Sequence, residues 1–204
     1  MTNAEMLAQL GYNLDDPNGD RYTSAIKLSA LNTVQSTVAS KAHTSLLRSM
    51  QTEADLIVPA IGYALPSNYF RYVNASLYLL YPIKWITKID PDSLGILDNQ
   101  FSGGSDADPL CYVWGTKVYL CVTTYSGDYN KMKLYYLKTP TTIAATGTCD
   151  LHLVLHEPLL LLAEANLRST YKYGSEESIL ELRKKADTLI TEANRLAAKG
   201  ELLV

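Results

Sequence analysis

Between Ser175 and Gly200 apolar residues recur at three- and four-residue intervals: Ile179, Leu182, Ala186, Leu189, Ile190, Ala193, Leu196 and Ala197. Glu181, Lys184, Lys185, Thr188, Glu192, Arg195 and Lys199 take the opposite side, so the stretch predicts an amphipathic helix. Ser175 offers the N-cap, Glu176 and Glu177 suit the positive end of the helix dipole, and Arg195 and Lys199 suit the negative end. Gly200 supplies a left-handed stop. Glu181 and Lys185 have the spacing of an (i, i+4) ion pair. The run before it, Leu159, Leu160, Leu161, Leu162, Ala163, Ala165 and Leu167, is apolar nearly all round. It predicts a helix covered on most sides, by its own domain or by a neighbouring subunit. Pro158 fits a first helical turn and places the start near His156, with Leu151, Leu153 and Leu155 alternating as a short extended lead-in.

At the other end, Thr2 and Glu5 have capping-box spacing and open a short helix that Gly11 is expected to end. Asp15-Asp16-Pro17-Asn18-Gly19-Asp20 reads as a turn. It is similar to a calcium loop only in composition, because its glycine is misplaced and no distal glutamate follows. Thr23 to Ala42 predicts a second helix with Ile26, Ala30, Val34 and Val38 inward. Ser29, Asn32, Ser36 and Ser40 then form a small polar stripe, read as a solvated face, although small residues also let neighbouring subunits approach closely.

From about Met50 to Pro140 the texture changes. Pro59, Pro66, Pro82, Pro91, Pro109 and Pro140 punctuate a stretch that helices would not tolerate. Arg71 to Leu80 and Ile83 to Ile89 predict strands joined through Tyr81-Pro82. Asp90-Pro91-Asp92 opens a helical turn or loop to Asp98, and Asn99 to Pro109 predicts an exposed loop. Cys111 to Trp114, Gly115-Thr116 and Lys117 to Thr124 predict a tight hairpin whose first turn residue is glycine. A third strand, Lys131 to Lys138, follows a turn at Ser126-Gly127-Asp128, which gives a meander. The expected class is α+β: a helical bundle of N- and C-terminal helices (1–48 and 141–204) with an inserted small antiparallel β domain (49–140).

Composition narrows the chemistry. An apolar fraction of 47% and a charged fraction of 19% are those of a folded globular chain, and a net charge of −3 advertises no nucleic-acid or acidic-lipid surface. No run approaches the length of a membrane span. Cys111, Cys121 and Cys149 have no metal-like spacing, and with no export pattern at the start they suggest a reducing compartment. Fifteen tyrosines against two phenylalanines suit either half-exposed strands or surfaces that meet other proteins. His152 and His156 are four apart with Glu157 beside them, two ligands where zinc needs more. His43 stands alone near a helix end. Asp90, Asp92, Asp98, Asp106 and Asp108 read as solvated turn residues. Nucleophile elbows, phosphate loops and dinucleotide fingerprints are absent from the sequence.

One segment, Tyr63-Ala64-Leu65-Pro66-Ser67-Asn68-Tyr69-Phe70-Arg71, resembles the lead into the β region of tailed-phage head–tail adaptor (connector) proteins. Tyr63, Leu65, Pro66, Phe70 and Arg71 carry that likeness. The order of elements is similar too: a short helix, a longer one, the β insertion, a final strand ending in Tyr135-Tyr136-Leu137-Lys138-Thr139-Pro140, a histidine-led helix from His156 to Tyr173, and a last amphipathic helix. The resemblance implies a structural virion protein, assembled in the host cytoplasm, with no catalytic residue and no cofactor. It implies a dodecameric ring beneath the portal protein that joins it to a tail or nozzle protein. DNA would pass through the central channel without sequence-specific binding. The tail Glu201-Leu202-Leu203-Val204 is expected to reach a neighbour, the portal. Ile89 to Pro109 has no counterpart in that pattern. Other classes remain open: a carbohydrate-directed module with Tyr112, Trp114, Tyr119 and Tyr135 as a stacking platform, a metal-dependent enzyme built on His152, His156 and an aspartate, or another tail or capsid subunit.

Overall fold

The computed structural model describes residues 1–57, 62–77, 83–92, 104, 108–121 and 131–201. Several expectations lie wholly or partly outside them: the Tyr81-Pro82 link, the turn to Asp98, most of the Asn99–Pro109 loop, residues 122–124, the turn at Ser126-Gly127-Asp128 and the tail Leu202-Leu203-Val204. The chain is mixed α+β and divides into two compact units, Met1–Met50 with Thr139–Val204, and Gln51–Lys138.

The helical unit starts with α1 (Asn3–Asn13), where the Thr2 amide donates to Glu5 Oε2 at 2.7 Å and the Glu5 amide to Thr2 Oγ1 at 3.3 Å, a complete capping box. Gly11 does not end it. The helix runs on to Asn13 and closes at Asp15, a left-handed residue at φ +55, with the Asp16 amide reaching back to the Gly11 carbonyl at 2.9 Å. Gly11 serves close approach instead, since a Cβ there would lie 2.8 Å from Lys27 Nζ and 3.1 Å from the Asp16 carbonyl. Helix α2 (Ser24–Lys41) is capped by Thr23 and buries Ala30, Leu31, Val34 and Val38. A 3₁₀ segment, Thr44–Met50, then carries Leu46, Leu47 and Met50 into the core.

Helix α3 (His156–Thr170) is the centre of this unit. Leu159, Leu160, Leu161, Ala163, Ala165 and Leu167 are all buried, against α1, α2 and α4 (Glu176–Ala198). Each buried leucine contributes roughly 1.5–3 kcal/mol. The all-round apolar helix is therefore covered by its own unit. It ends at Thr170 rather than Tyr173, and its lead-in Leu153–Leu155 is a 3₁₀ turn capped by His152, not an extended stretch. Helix α4 begins at its Ser175 cap, and past Ala198 the Gly200 amide bonds the Ala197 carbonyl and the Glu201 amide the Leu196 carbonyl. Lys185 Nζ lies 3.4 Å from Glu157 rather than pairing with Glu181.

The polar stripe of α2 is only partly solvated. Ser29, Ser36 and Ser40 are exposed, but Asn32 donates to the Ile143 carbonyl at 3.0 Å and accepts its amide at 2.7 Å. Gln35, next to the stripe, is buried and reaches Cys149 Sγ at 3.6 Å, while Asn3 donates to the Thr146 carbonyl. These side chains supply the hydrogen bonds that the irregular stretch 139–152 cannot make to itself.

The β unit has two four-stranded sheets. One runs β1 (Gln51–Ile57), β8 (Lys131–Lys138), β3 (Tyr69–Leu77), β4 (Lys84–Trp85). The other runs β2 (Tyr63–Ala64), β7 (Lys117–Cys121), β6 (Leu110–Trp114), β5 (Thr87–Lys88). The predicted hairpin forms, with Gly115 at φ +57 and Trp114 opposite Lys117. The meander does not. β8 leaves the hairpin and inserts between β1 and β3, because its alternating Met132, Leu134 and Tyr136 are needed in the core and β1 provides its second neighbour. Ile83 to Ile89 is likewise not one strand: it breaks at buried Ile86, with β4 pairing β3 in one sheet and β5 pairing β6 in the other. The β5–β6 pair is parallel, so the unit is not purely antiparallel. Tyr63, Cys111 and Val118 of one sheet share a core with Ala75, Leu77, Met132, Leu134 and Tyr136 of the other, Ile86 among them.

Candidate functional site

Tyr63 to Arg71 forms the corner by which the chain leaves one sheet and enters the other. Tyr63 pairs with Val118 and is 8% exposed, and the Leu65 amide donates to the Thr116 carbonyl at 2.9 Å. Pro66 then opens a turn that the Tyr69 amide closes onto its carbonyl at 2.9 Å. Tyr69 stacks on Tyr136 with centroids 5.8 Å apart, and the Tyr136 hydroxyl donates to Asn68 Oδ1 at 2.9 Å. Phe70 and Val73 are extra residues in β3, each at a shift in the register with β8. Arg71 is half-buried, and that burial lowers its pKa. The residues that carry the adaptor likeness are thus a packed corner, with Leu65 and Tyr69 against the core. Before it, Gly62 sits at φ +70, where a Cβ would be 2.6 Å from the Tyr119 ring.

Exposed aromatic surface lies elsewhere on the β unit. Tyr112 and Tyr119 are cross-strand partners whose rings stack at 4.8 Å and 8°. On the same face of the hairpin, by strand alternation, stand Trp114, 59% exposed, and Lys117 opposite it. Tyr135 does not join them. It lies on β8 in the other sheet, 5.9 Å from Trp85, itself 58% exposed. The four-residue aromatic platform is therefore split into two patches. Tyr69, Tyr72, Tyr112, Tyr119 and Tyr135, a third of the fifteen tyrosines, are each half-buried on strands.

Ionisable groups are engaged in structure. His156 is buried with Nε2 3.1 Å from the Leu151 carbonyl, and burial lowers its pKa. His152 Nδ1 accepts from the Val154 amide at 3.4 Å. His43 Nδ1 accepts the Ser45 amide at 3.3 Å and meets Ser45 Oγ at 2.9 Å, so it caps the following segment. Among the described residues no three His, Cys, Asp or Glu side chains gather as metal ligands. All three cysteines are free thiols; burial pushes Cys111 up to about 11, and its thiol faces the Tyr72 hydroxyl at 3.7 Å. Asp90 accepts the Asp92 amide at 3.1 Å, as a turn residue would.

Two features escaped the sequence. Asp16, read as a turn residue, is buried, accepts the Arg21 and Tyr22 amides at 3.1 and 2.7 Å, and lies 3.8 Å from buried Lys27. Burial alone would raise its pKa, but the Tyr22 and Arg21 hydrogen bonds and the Lys27 charge outweigh it and lower the pKa. Glu164 is buried on α3 with Arg168 Nε at 2.9 Å, and burial raises its pKa against the pull of that arginine. Arg168 also donates to the Asn13 carbonyl and shares the Tyr173 ring with Arg21, and Glu164 and Arg168 line an open recess of about 340 Å³ with Ser178, Glu181, Leu182 and Lys185. No signal in the sequence distinguishes these acids from the solvated ones around them.

Glu201 is exposed just beyond the stop of α4. Among the described residues no helix is long and apolar enough to cross a membrane. Compared with known protein families the sequence matches none, and no curated protein resembles it closely enough to count as a relative.

Proposed function

We propose that this chain is a structural virion protein, the subunit of a head–tail adaptor ring in a tailed phage. In this reading the helices of both chain ends form a bundle into which the β domain is inserted. Twelve copies close into a ring beneath the portal, and the ring joins it to a tail or nozzle protein. One observation carries the proposal beyond the sequence likeness: both tryptophans of the chain stand on the β unit more than half exposed, at 58% and 59%. Large aromatic side chains with polar rims are what subunit interfaces bury. Identical subunits meeting through two different patches, here the Trp114 hairpin face and the Trp85–Tyr135 face, close into a ring. A net charge of −3 suits a channel in which DNA slides without being held.

The test is light scattering of the purified protein, followed by electron microscopy of the protein mixed with portal rings. A ring on its own, or a ring seated beneath the portal, is the expected result. A protein that stays monomeric at high concentration and leaves portal rings bare overturns the reading. Saturable binding of a soluble oligosaccharide by that monomer would favour a carbohydrate module instead.

A further inference from the structure

Among the described residues the two sheets have four edge strands, which differ sharply in length. Three are strands of two residues, β2, β4 and β5, too short to template another chain; β1 is seven residues long. Its inner row is also unfinished. Ala54 and Leu56 pack against the core of the β unit yet remain partly exposed, whereas Met132 and Leu134 on the neighbouring β8 are fully buried. The outer row bears Glu53 and Asp55, with side chains 55% and 64% exposed. Among the described side chains Lys133 answers them, 2.9 Å from Glu53 and 3.9 Å from Asp55, one cation for two carboxylates. Beside them an open recess of about 310 Å³ is lined by Gln51, Thr52, Glu53, Val73, Tyr135 and Tyr136.

We propose that β1 receives an extended segment of a partner protein as an added strand, with basic residues alternating with apolar ones. β8 shows the pattern that fits: Lys133 stands opposite Asp55 while Met132 and Leu134 point inward. A mirror-like strand on the side of β1 away from β8 would complete the burial of Ala54 and Leu56. It would bring a second cation to Glu53 and Asp55, and one such side chain can enter the recess over the Tyr135 ring. A second copy pairing through its own β1 is disfavoured, because antiparallel pairing about Ala54 sets Glu53 against Asp55.

The probe is a capped peptide of β1's length alternating arginine with valine, followed by fluorescence anisotropy and by amide hydrogen exchange. Saturable binding that slows exchange at residues 51–57 is expected. The double variant Glu53→Lys, Asp55→Lys should weaken it at least about tenfold, with its circular dichroism unchanged. No saturable binding overturns the proposal. So does equal binding by the double variant, or equal binding of a peptide with proline in place of valine, which attracts by charge but cannot pair. Protection of the same amides without peptide, rising with protein concentration, would make the occupant a second copy and also overturn it.

Discussion

Replacing Gly11 by alanine should destabilise the helical unit, although the same change inside an unobstructed helix stabilises by about 0.8–1.0 kcal/mol. The new methyl would stand 2.8 Å from Lys27 Nζ and 3.1 Å from the Asp16 carbonyl. Neither neighbour can yield freely. Lys27 is 5% exposed, its ammonium is held to that carbonyl at 3.0 Å, and Asp16 is fixed by two backbone amides. Overpacking costs about 1–3 kcal/mol, and displacing a charged hydrogen bond about 1.5–3 more. Subtracting the helical gain leaves a net loss of about 1.5–5 kcal/mol, which lowers the melting temperature by at least about 3 °C. Urea and thermal unfolding of Gly11→Ala, followed by circular dichroism, measure it. A double-mutant cycle with Lys27→Met locates the cause, since the cost of Gly11→Ala should fall by about half or more once the ammonium is gone. Gly11→Ala as stable as the parent, or more so, would refute the reasoning.

The two buried acids should impose opposite slopes of stability against pH. Asp16 has a lowered folded-state pKa, so its contribution is full above the unfolded value and is lost as pH falls through the folded one; Asp16→Asn should flatten that acid limb in urea titrations. Glu164 has a raised pKa, so the native state holds the extra proton and stability falls as pH rises between the unfolded and folded values. Glu164→Gln should remove that fall. Gly62→Ala, which combines φ +70 with a methyl 2.6 Å from the Tyr119 ring, should lower the stability of the β unit by about 1–3 kcal/mol, read from the tyrosine near-ultraviolet signal on denaturation. Trp114→Ser and Trp85→Ser should change stability by less than about 0.5 kcal/mol, and the proposed ring requires that each abolish assembly in light scattering.

What the sequence makes legible here is what short-range chemistry decides. The Thr2–Glu5 box, the Ser175 cap, the Gly200 stop and the Gly115 hairpin each depend on residues within one turn of one another. The larger errors come from distant partners. Gly11 looks like a helix stop until Lys27 is folded against it, and Asn32 looks solvated until Ile143 arrives. Gln51 to Ile57 carries Glu53, Ala54 and Asp55, weak strand formers, so nothing local marks it as the strand that draws β8 out of a meander. The candidate surface was less legible still. Tyr112, Trp114, Tyr119 and Tyr135 share a composition, but only pairing assigns three of them to one sheet and the fourth to another.

Because one unit is built from both ends of the chain and the other from its middle, synthesis fixes an order of events. All the strands leave the ribosome before α3 does. The β unit can close on its own core while Met6, Leu10, Leu31 and Val38, the side chains that α1 and α2 bury in the finished protein, still await their leucine-rich centre. A ribosome paused once β8 has cleared its exit tunnel, with α3 still inside it, therefore holds a folded middle preceded by a sticky, unfinished start, the species a chaperone would recognise.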